Sequence, residues 1–344
     1  MKHFVVIGMV LLGTIPSLSQ SPALSFKDKP EAKEVGLYWG ELLLTSYCYY
    51  DSVMKPVLFP INTPMGTTIT RGFPLAPRPG ERVDHPHHIG LWLNYQYVNG
   101  LDFWNNSTAI PYEKRSRYGT IVHDRVVKKE AKGNTAFIET SAQWKRPDKM
   151  TLLVEVTRYD FSVDGGSFVI DRTTTLRALG EDVDMRDIKD GLLGLRVTRE
   201  LELPSKESVK YIDGNGNITE VPAINNDNVT GSYLSSEGLK DDAVWGTRGK
   251  WVTLSGKKEG KDISVTIIDH PRNPGYPTYW HARGYGLFAA NPIAPSSFDK
   301  KAKPMNFMIK KGEAATFRYR VVIHEGALTT ENIEAFTKTF SRIN

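Results

Sequence analysis

The feature that most constrains this chain is a two-residue alternation of apolar and polar side chains over much of its length. Ile263, Val265 and Ile267 alternate with Ser264 and Thr266. Phe317, Tyr319, Val321 and Ile323 alternate with Arg318, Arg320, Val322 and His324, and Leu193, Leu195 and Val197 with Gly194 and Arg196. Successive side chains of a strand point to opposite faces, so such runs read as strands with one buried face. Residues 151–163 and 167–179 are β-branched and aromatic runs separated by Asp164-Gly165-Gly166, a turn able to reach positive φ, which is a hairpin signal. Residues 330–341 alone carry a clear helical pattern. Thr330 is placed to cap that helix, Glu331 suits its first turn, and Ile333, Phe336 and Phe340 form one apolar stripe. The polar stretch 213–228 reads as a long loop, and no Pro- or Gly-rich linker or fixed repeat divides the chain. Many strands with little helix imply a sandwich or barrel. The expected fold is all-β: a large two-sheet antiparallel β-sandwich, residues 20–344 as a single domain, closed by a short C-terminal helix.

Residues 1–19 read as a cleaved export signal. Met1, Lys2 and His3 give a basic start, residues 4–12 are almost wholly apolar, and Ser17-Leu18-Ser19 is a small-x-small cleavage site. The apolar stretch is shorter than the roughly 20 residues a bilayer span requires, and no later segment reaches that length. The expected location is therefore periplasmic or extracellular, with no membrane span after signal removal. The single cysteine, Cys48, can form no internal disulfide, so stability must come from a core, and a buried thiol is expected. A formal charge of +5 is modest for this length, and the charges are interleaved rather than collected in runs. No nucleic-acid module, P-loop or dinucleotide fingerprint occurs, so no nucleic-acid partner is expected.

The densest chemistry lies between Arg71 and Trp104. His85, His87 and His88 place three of the eight histidines within four residues, behind Asp84. Imidazole moves protons near neutral pH or ligates a divalent metal, and Asp84 is placed to orient a histidine through its ring N–H. The trio is a candidate metal set, although its spacing matches no helical HExxH pattern. Downstream, Trp92, Asn94, Asp102, Phe103 and Trp104 set aromatic faces beside amides and carboxylates. That mixture suits a sugar ring, and core packing remains open for Phe103 and one of the tryptophans.

A second constellation follows the strand at 263–268: Asp269, His270, Asn273, Trp280, His281, Arg283 and Tyr285. A strand that ends in a loop dense in His, Arg and aromatics is a common way to present a site. Weaker candidates are Asp187, Lys189 and Asp190 ahead of Arg196, the trio Trp245, Arg248 and Trp251 as an arginine stacked between indoles, and His324.

Taken together, these stretches resemble the PmoA-like family of exported bacterial proteins. The resemblance rests on Asp84-His85-Pro86-His87-His88 with Gly90-Leu91-Trp92, Asn99-Gly100 and Asp102-Phe103-Trp104. It continues through Lys189, Gly191 and Arg196, Trp245-Gly246, Asp269-His270-Pro271 with Asn273-Pro274, and Trp280-His281 with Tyr285-Gly286. It spans roughly residues 35–325 and departs at Ile89, where many members carry Arg, and at Asp190, where Glu is expected. The family label points to a methane monooxygenase subunit, a multi-span membrane protein; this chain has no such spans, so the label is treated as a misnomer. The resemblance implies a galactose-mutarotase-like supersandwich and a polysaccharide context. The expected function is an enzyme acting on a sugar or glycoside as an epimerase, lyase or, ranked lower, hydrolase. The alternative is a non-catalytic glycan-binding protein of a polysaccharide-utilisation system. In the enzyme, His88 or His281 serves as acid or base, and Arg71 and Arg283 hold a carboxylate or developing negative charge. Trp92, Asn94, Asp102, Trp104, Asn273, Trp280 and Tyr285 contact the ligand. No cofactor follows from the sequence beyond a divalent metal on His85, His87 and His88. The two His-rich segments are expected to meet in one site.

Overall fold

The computed structural model describes residues 22–343; the expected export signal, residues 1–19, lies outside them. The first sheet contains β1 (Leu24–Lys29), β2 (Glu34–Trp39), β3 (Leu42–Cys48), β4 (Val57–Ile61), β5 (Leu91–Tyr95), β11 (Gly191–Arg196), β17 (Tyr279–Ala282) and β18 (Leu287–Asn291). The second contains β6 (Thr120–Lys132), β7 (Thr135–Lys145), β8 (Thr151–Asp164), β9 (Ser167–Ala178), β14 (Ser232–Ser235), β15 (Trp251–Lys258), β16 (Lys261–Asp269) and β20 (Ala314–Glu325). Two small ladders join β10 (Val183–Met185) to β19 (Phe307–Ile309), and β12 (Val209–Ile212) to β13 (Ile218–Val221). The strand orders are β1-β2-β3-β4-β5-β11-β18-β17 and β14-β15-β16-β20-β9-β8-β7-β6. Every pairing between these strands is antiparallel. The fold is the expected two-sheet β-sandwich.

Alternation decides which face each side chain serves. Leu91, Leu93, Leu193, Leu195, Trp280 and Phe288 from the first sheet meet Ile138, Leu153, Ile170, Val265 and Val321 from the second in one continuous core. The outer face of the second sheet is covered by α2 (Thr330–Phe340), a longer helix than the four-residue α1 (Pro295–Phe298). Ile333 and Phe340 of α2 bury against Val169, Trp251, Ile268 and Val322. Its cap is Thr329 rather than the expected Thr330: the Thr329 side chain accepts from the Asn332 amide and the Asn332 side chain answers to the Thr329 N–H. The expected loop at 213–228 contains β13, so part of it is a short hairpin. Cys48 is buried and free, as expected.

The outer face of the first sheet carries a separate apolar patch of Cys48, Val57, Phe59, Trp92, Trp104, Leu287 and Ala289. The central strand β11 is therefore buried on both faces, with leucines toward the core and Gly194 and Arg196 outward. Register aligns Trp92, Gly194, Ala289 and His281 in one row across four strands. Gly194 is required there: a β-carbon would lie 2.4 Å from the Trp92 ring and 3.0 Å from that of Trp104. The small residues in mid-row let the Trp92 indole lie flat on the sheet.

Candidate functional site

The histidine loop is shaped by Arg71, which is 1% exposed. Its Nη1 donates to the carbonyls of Arg82 (3.2 Å) and Asp84 (2.8 Å), and its Nη2 to those of His85 (2.9 Å) and His88 (3.1 Å). These bonds hold His85 at φ 44°, in the left-handed region that a β-carbon disfavours. Asp84 is the charge hub of the loop. Its Oδ1 accepts from Arg71 and from the fully buried Arg196, both at 2.6 Å, and its Oδ2 lies 3.0 Å from His85 Nδ1. Burial works to raise the Asp84 carboxyl, but Arg196, His85 and Arg71 outweigh it and hold the group far below the usual carboxylate range.

The three imidazoles have three different fates. The His85 ring is sandwiched, parallel to His88 at 4.7 Å on one side and to Tyr285 at 5.1 Å on the other. Its side chain is 40% exposed, with Nδ1 against Asp84, which leaves Nε2 toward solvent. His88 is buried, stacked on Trp92 at 5.2 Å, and its Nδ1 faces Arg196 Nη1 at 3.2 Å. The guanidinium can only donate, so Nδ1 accepts and Nε2 carries the proton, with no hydrogen-bond partner among the described residues. His87 packs edge-on against His88. Burial pushes His88 well below its ordinary value and His87 down to about 2, reinforced for His87 by Lys55 and for His88 by His87.

The second segment reaches this loop through Tyr285. Its ring stacks on His85 and lies under the guanidiniums of Arg196 (4.9 Å) and Arg283 (5.7 Å). Arg283 also covers Trp245 at 5.6 Å, and Trp245 meets His281 edge-on at 6.5 Å. The exposed Arg283 side chain makes no hydrogen bond or ion pair among the described residues. His281 is buried, with Nδ1 3.7 Å from Asp190 Oδ1. Burial, with Lys189, Arg283 and His85 adding to it, pushes His281 down to about 3. Arg283, Tyr285 and Trp245 wall a cleft of about 290 Å³ that also takes in Glu207 and Asp242. The two segments are connected indirectly: Tyr285 stacks on His85, Arg283 lies over Tyr285 and Trp245, and Trp245 meets His281.

Several expected roles are corrected. His85, His87 and His88 stack and cross instead of converging, and among the described residues no group of three or more His, Cys, Asp or Glu forms a metal-binding set. Arg71 is used up by loop carbonyls and Asp84. Trp92 and Trp104 are buried beneath His88, and Trp280 points into the sandwich core, its Nε1 donating to the Gly249 carbonyl at 3.1 Å. Asn94 is buried and donates to the Phe103 carbonyl. Asp102 accepts from the backbone and side-chain nitrogens of Asn105.

Asn273 belongs elsewhere: it ties Asp269 to the backbone of Arg318 on the second sheet. His270 there contacts the Ile343 carbonyl and Phe340. Arg248 covers Tyr279 rather than an indole, and His324 bonds Ser167. Sequence reasoning passed over Lys55, which sits beneath the loop with its Nζ donating to the His87 carbonyl at 2.7 Å; nothing in its local sequence marks it. Asp84 lies against His85 Nδ1, in line with its expected orienting role, whereas Asp190, noticed only beside Lys189, also lies 3.7 Å from His281 Nδ1.

No curated protein matches the chain in sequence. Among solved structures, the GH36 α-galactosidase AgaB from Geobacillus stearothermophilus aligns over 88% of this chain at 13% identity and a TM-score of 0.42. The chain covers only 41% of that enzyme's length. A galactose mutarotase related enzyme from Lactobacillus acidophilus aligns over 89% of this chain and all of its own length, at 10% identity and a TM-score of 0.27. The sequence itself gives the firmer assignment, a family model matched over residues 34–338, and by that match the chain belongs to DUF6807, a family of unknown function.

Proposed function

We propose that this protein is an exported carbohydrate-active enzyme that moves a proton on a sugar or glycoside, as an epimerase or lyase does. The observation that carries the reading is the His85–Asp84 couple and, near it, buried His281 with Asp190 3.7 Å away, linked through Tyr285 and Trp245 by the exposed Arg283 guanidinium that lies over both rings. Asp84 fixes the proton of His85 on Nδ1, so Nε2 presents a lone pair and serves as the base. His281, neutral across the physiological range, serves as a neutral N–H donor to a carbonyl or ring oxygen. Arg283 stabilises negative charge that develops as the proton leaves, and the exposed edges of Tyr285 and Trp245 wall the sugar in the cleft. Hydrolysis by the histidine-flanking acids ranks lower because Asp84 and Asp190 are engaged with arginines, histidine and lysine. The basic apolar start of the sequence and its resemblance to PmoA-like exported proteins support secretion into a polysaccharide-degrading setting.

A glycan-binding protein without turnover is the second reading, favoured by the exposed placement of Arg283 on the cleft wall. Incubating the mature protein with a panel of sugars, including uronic acids, in D2O and following deuterium incorporation by NMR tests both. Solvent exchange or conversion of at least one sugar is expected, falling by about a hundredfold or more in His85→Gln while calorimetric affinity persists. Binding without exchange in any sugar overturns the enzyme reading, and no binding at all overturns both.

A further inference from the structure

A second groove, larger than the cleft at Arg283, opens between two ordered turns and has a volume of about 870 Å³. One wall is a short 3₁₀ segment, Tyr112–Arg117; the other is the turn between β7 and β8, which contributes Pro147 and Lys149. Asn106 and Ser107, 6% and 9% exposed, supply its most buried lining. Backbone bonds fix all three parts. The Asp102 N–H donates to the Arg117 carbonyl at 3.0 Å, and the Asp102 carbonyl accepts from the Gly119 N–H at 3.1 Å. Asn106 Nδ2 donates to the Gly119 carbonyl at 2.8 Å and to Thr120 Oγ1 at 3.2 Å. The opposite turn is closed by the Arg146 N–H on the Met150 carbonyl at 2.9 Å and the Lys149 N–H on the Arg146 carbonyl at 3.0 Å. Walls ordered in this way lose little freedom when a ligand enters.

The groove is open to solvent, and its chemistry is mixed. Tyr112 is 85% exposed, with the Arg115 guanidinium 5.9 Å from its ring centroid and Arg115 Nε held by the Ile110 carbonyl at 3.2 Å. A tyrosine ring offers a large rigid face at low entropic cost, with a hydroxyl that stays wet. Half-buried Tyr118 adds a second ring, and Ser107, Thr108 and Ser116 add hydroxyls that both donate and accept. The charges nearly cancel. Asp51 pairs with Lys33, while exposed Glu113, Arg115 and Lys149 form no ion pair among the described residues. Lys114 and Arg117 of the same segment do not line the groove. A site for a polyanion collects charge of one sign, and this lining does not. Beside it lies a smaller cavity of about 340 Å³ that shares Asp51, Met54 and Thr120 and adds the half-buried rings of Tyr49 and Tyr50. The Tyr49 ring is held against His123, centroids 4.0 Å apart.

We propose that this groove is a second binding site, for a neutral oligosaccharide several units long. Its volume lies near the top of the roughly 300–1,000 Å³ range of small-molecule pockets, more than one sugar ring fills. A pyranose presents an apolar C–H face, which the Tyr112 and Tyr118 rings take, and hydroxyls around its edge, which the groove's own hydroxyls and the Asn106 amide take. The groove shares no lining residue with the cleft at Arg283, so it holds a glycan chain whether or not the cleft transforms one. It rests on the proposed function only for carbohydrate as the class of ligand.

The test is calorimetric titration of the mature protein with cellohexaose, xylohexaose and mannohexaose, beside oligogalacturonate and a thymidine oligonucleotide as anionic probes. At least one neutral hexasaccharide is expected to bind, with an affinity that changes less than about twofold across a wide range of salt, because no charge pair is screened. Tyr112→Ala should weaken that binding about tenfold and keep the wild-type melting curve, since the side chain is exposed, whereas Tyr112→Phe retains the ring face and should bind within about twofold of wild type. Tyr112→Ala should also leave deuterium exchange on monosaccharides unchanged. A wild-type protein that shows no such exchange but binds a hexasaccharide through Tyr112 therefore sinks the proton-transfer reading and upholds this one. No hexasaccharide binding, equal binding by Tyr112→Ala, or a preference for the anionic probes overturns the proposal.

Discussion

Replacing Asp84 with Asn keeps the shape of the side chain and removes the one negative charge that Arg71 and Arg196 share. Both guanidiniums are essentially excluded from water, so neither recovers hydration when its partner is lost. Removing one member of a buried ion pair costs about 3–5 kcal/mol. Asp84 itself is 29% exposed, so water already weakens its hold, and the lower end, about 3 kcal/mol, is the expected loss. The effect has a pH signature. The folded carboxyl is held below its unfolded value, so its stabilisation is fully present above about pH 4 and is lost as pH falls towards the folded value. The Asn variant lacks that dependence, so the wild-type advantage should shrink by about 1.4 kcal/mol for each pH unit below about 4. Urea unfolding of both proteins at pH 7, 5 and 3 measures this directly. A gap under about 1 kcal/mol at pH 7, or one as wide at pH 3 as at pH 7, would refute the hub role of Asp84.

Two further outcomes separate packing from function. Gly194→Val drives a side chain into the Trp92 and Trp104 rings and should destabilise the protein by about 1–3 kcal/mol while changing its near-ultraviolet circular dichroism. An unchanged spectrum and midpoint would show that the indole does not lie on the sheet. Trp280→Ala should lower stability by about 3–5 kcal/mol and leave saccharide affinity intact, since that indole fills the core. A selective loss of binding would return Trp280 to the ligand surface.

Much of the architecture was legible because it rests on local periodicity. The alternations at 263–267 and 317–323 became β16 and β20, and the Asp164-Gly165-Gly166 turn joined β8 to β9. What local pattern does not carry is pairing between distant residues. Gly194 and Arg196 looked like the solvated face of a half-buried strand, yet Arg196 is neutralised by Asp84 from a distant loop. The same reason hid Lys55, whose environment comes from His87, Trp92 and Asp102. The histidines were visible as a cluster, but the solvent-facing nitrogen is chosen by Asp84, which moves the favoured base from His88 to His85. Asn273 was grouped with His281 because they are close in sequence. The chain leaves the second sheet at Asp269 and enters the first at Tyr279, so neighbours in sequence fall on different sheets.

The middle of the first sheet is assembled from strands that are remote along the chain: β5, β11 and β18 come from its first third, its middle and its final stretch. The second sheet gains β6, β7, β8 and β9 as consecutive hairpins, each able to pair as soon as it is made. Long-range pairings form more slowly than local ones, so the row from Trp92 to His281 is expected to close late. On the ribosome, the hairpin sheet can wait as a platform while the site still lacks half its residues, and competence arrives only as β18 emerges and docks. The shortest contiguous fragment holding both histidine segments runs from Asp84 to Tyr285 and lacks β1 to β4 and β18, so this surface is inherited, lost or transplanted as a unit.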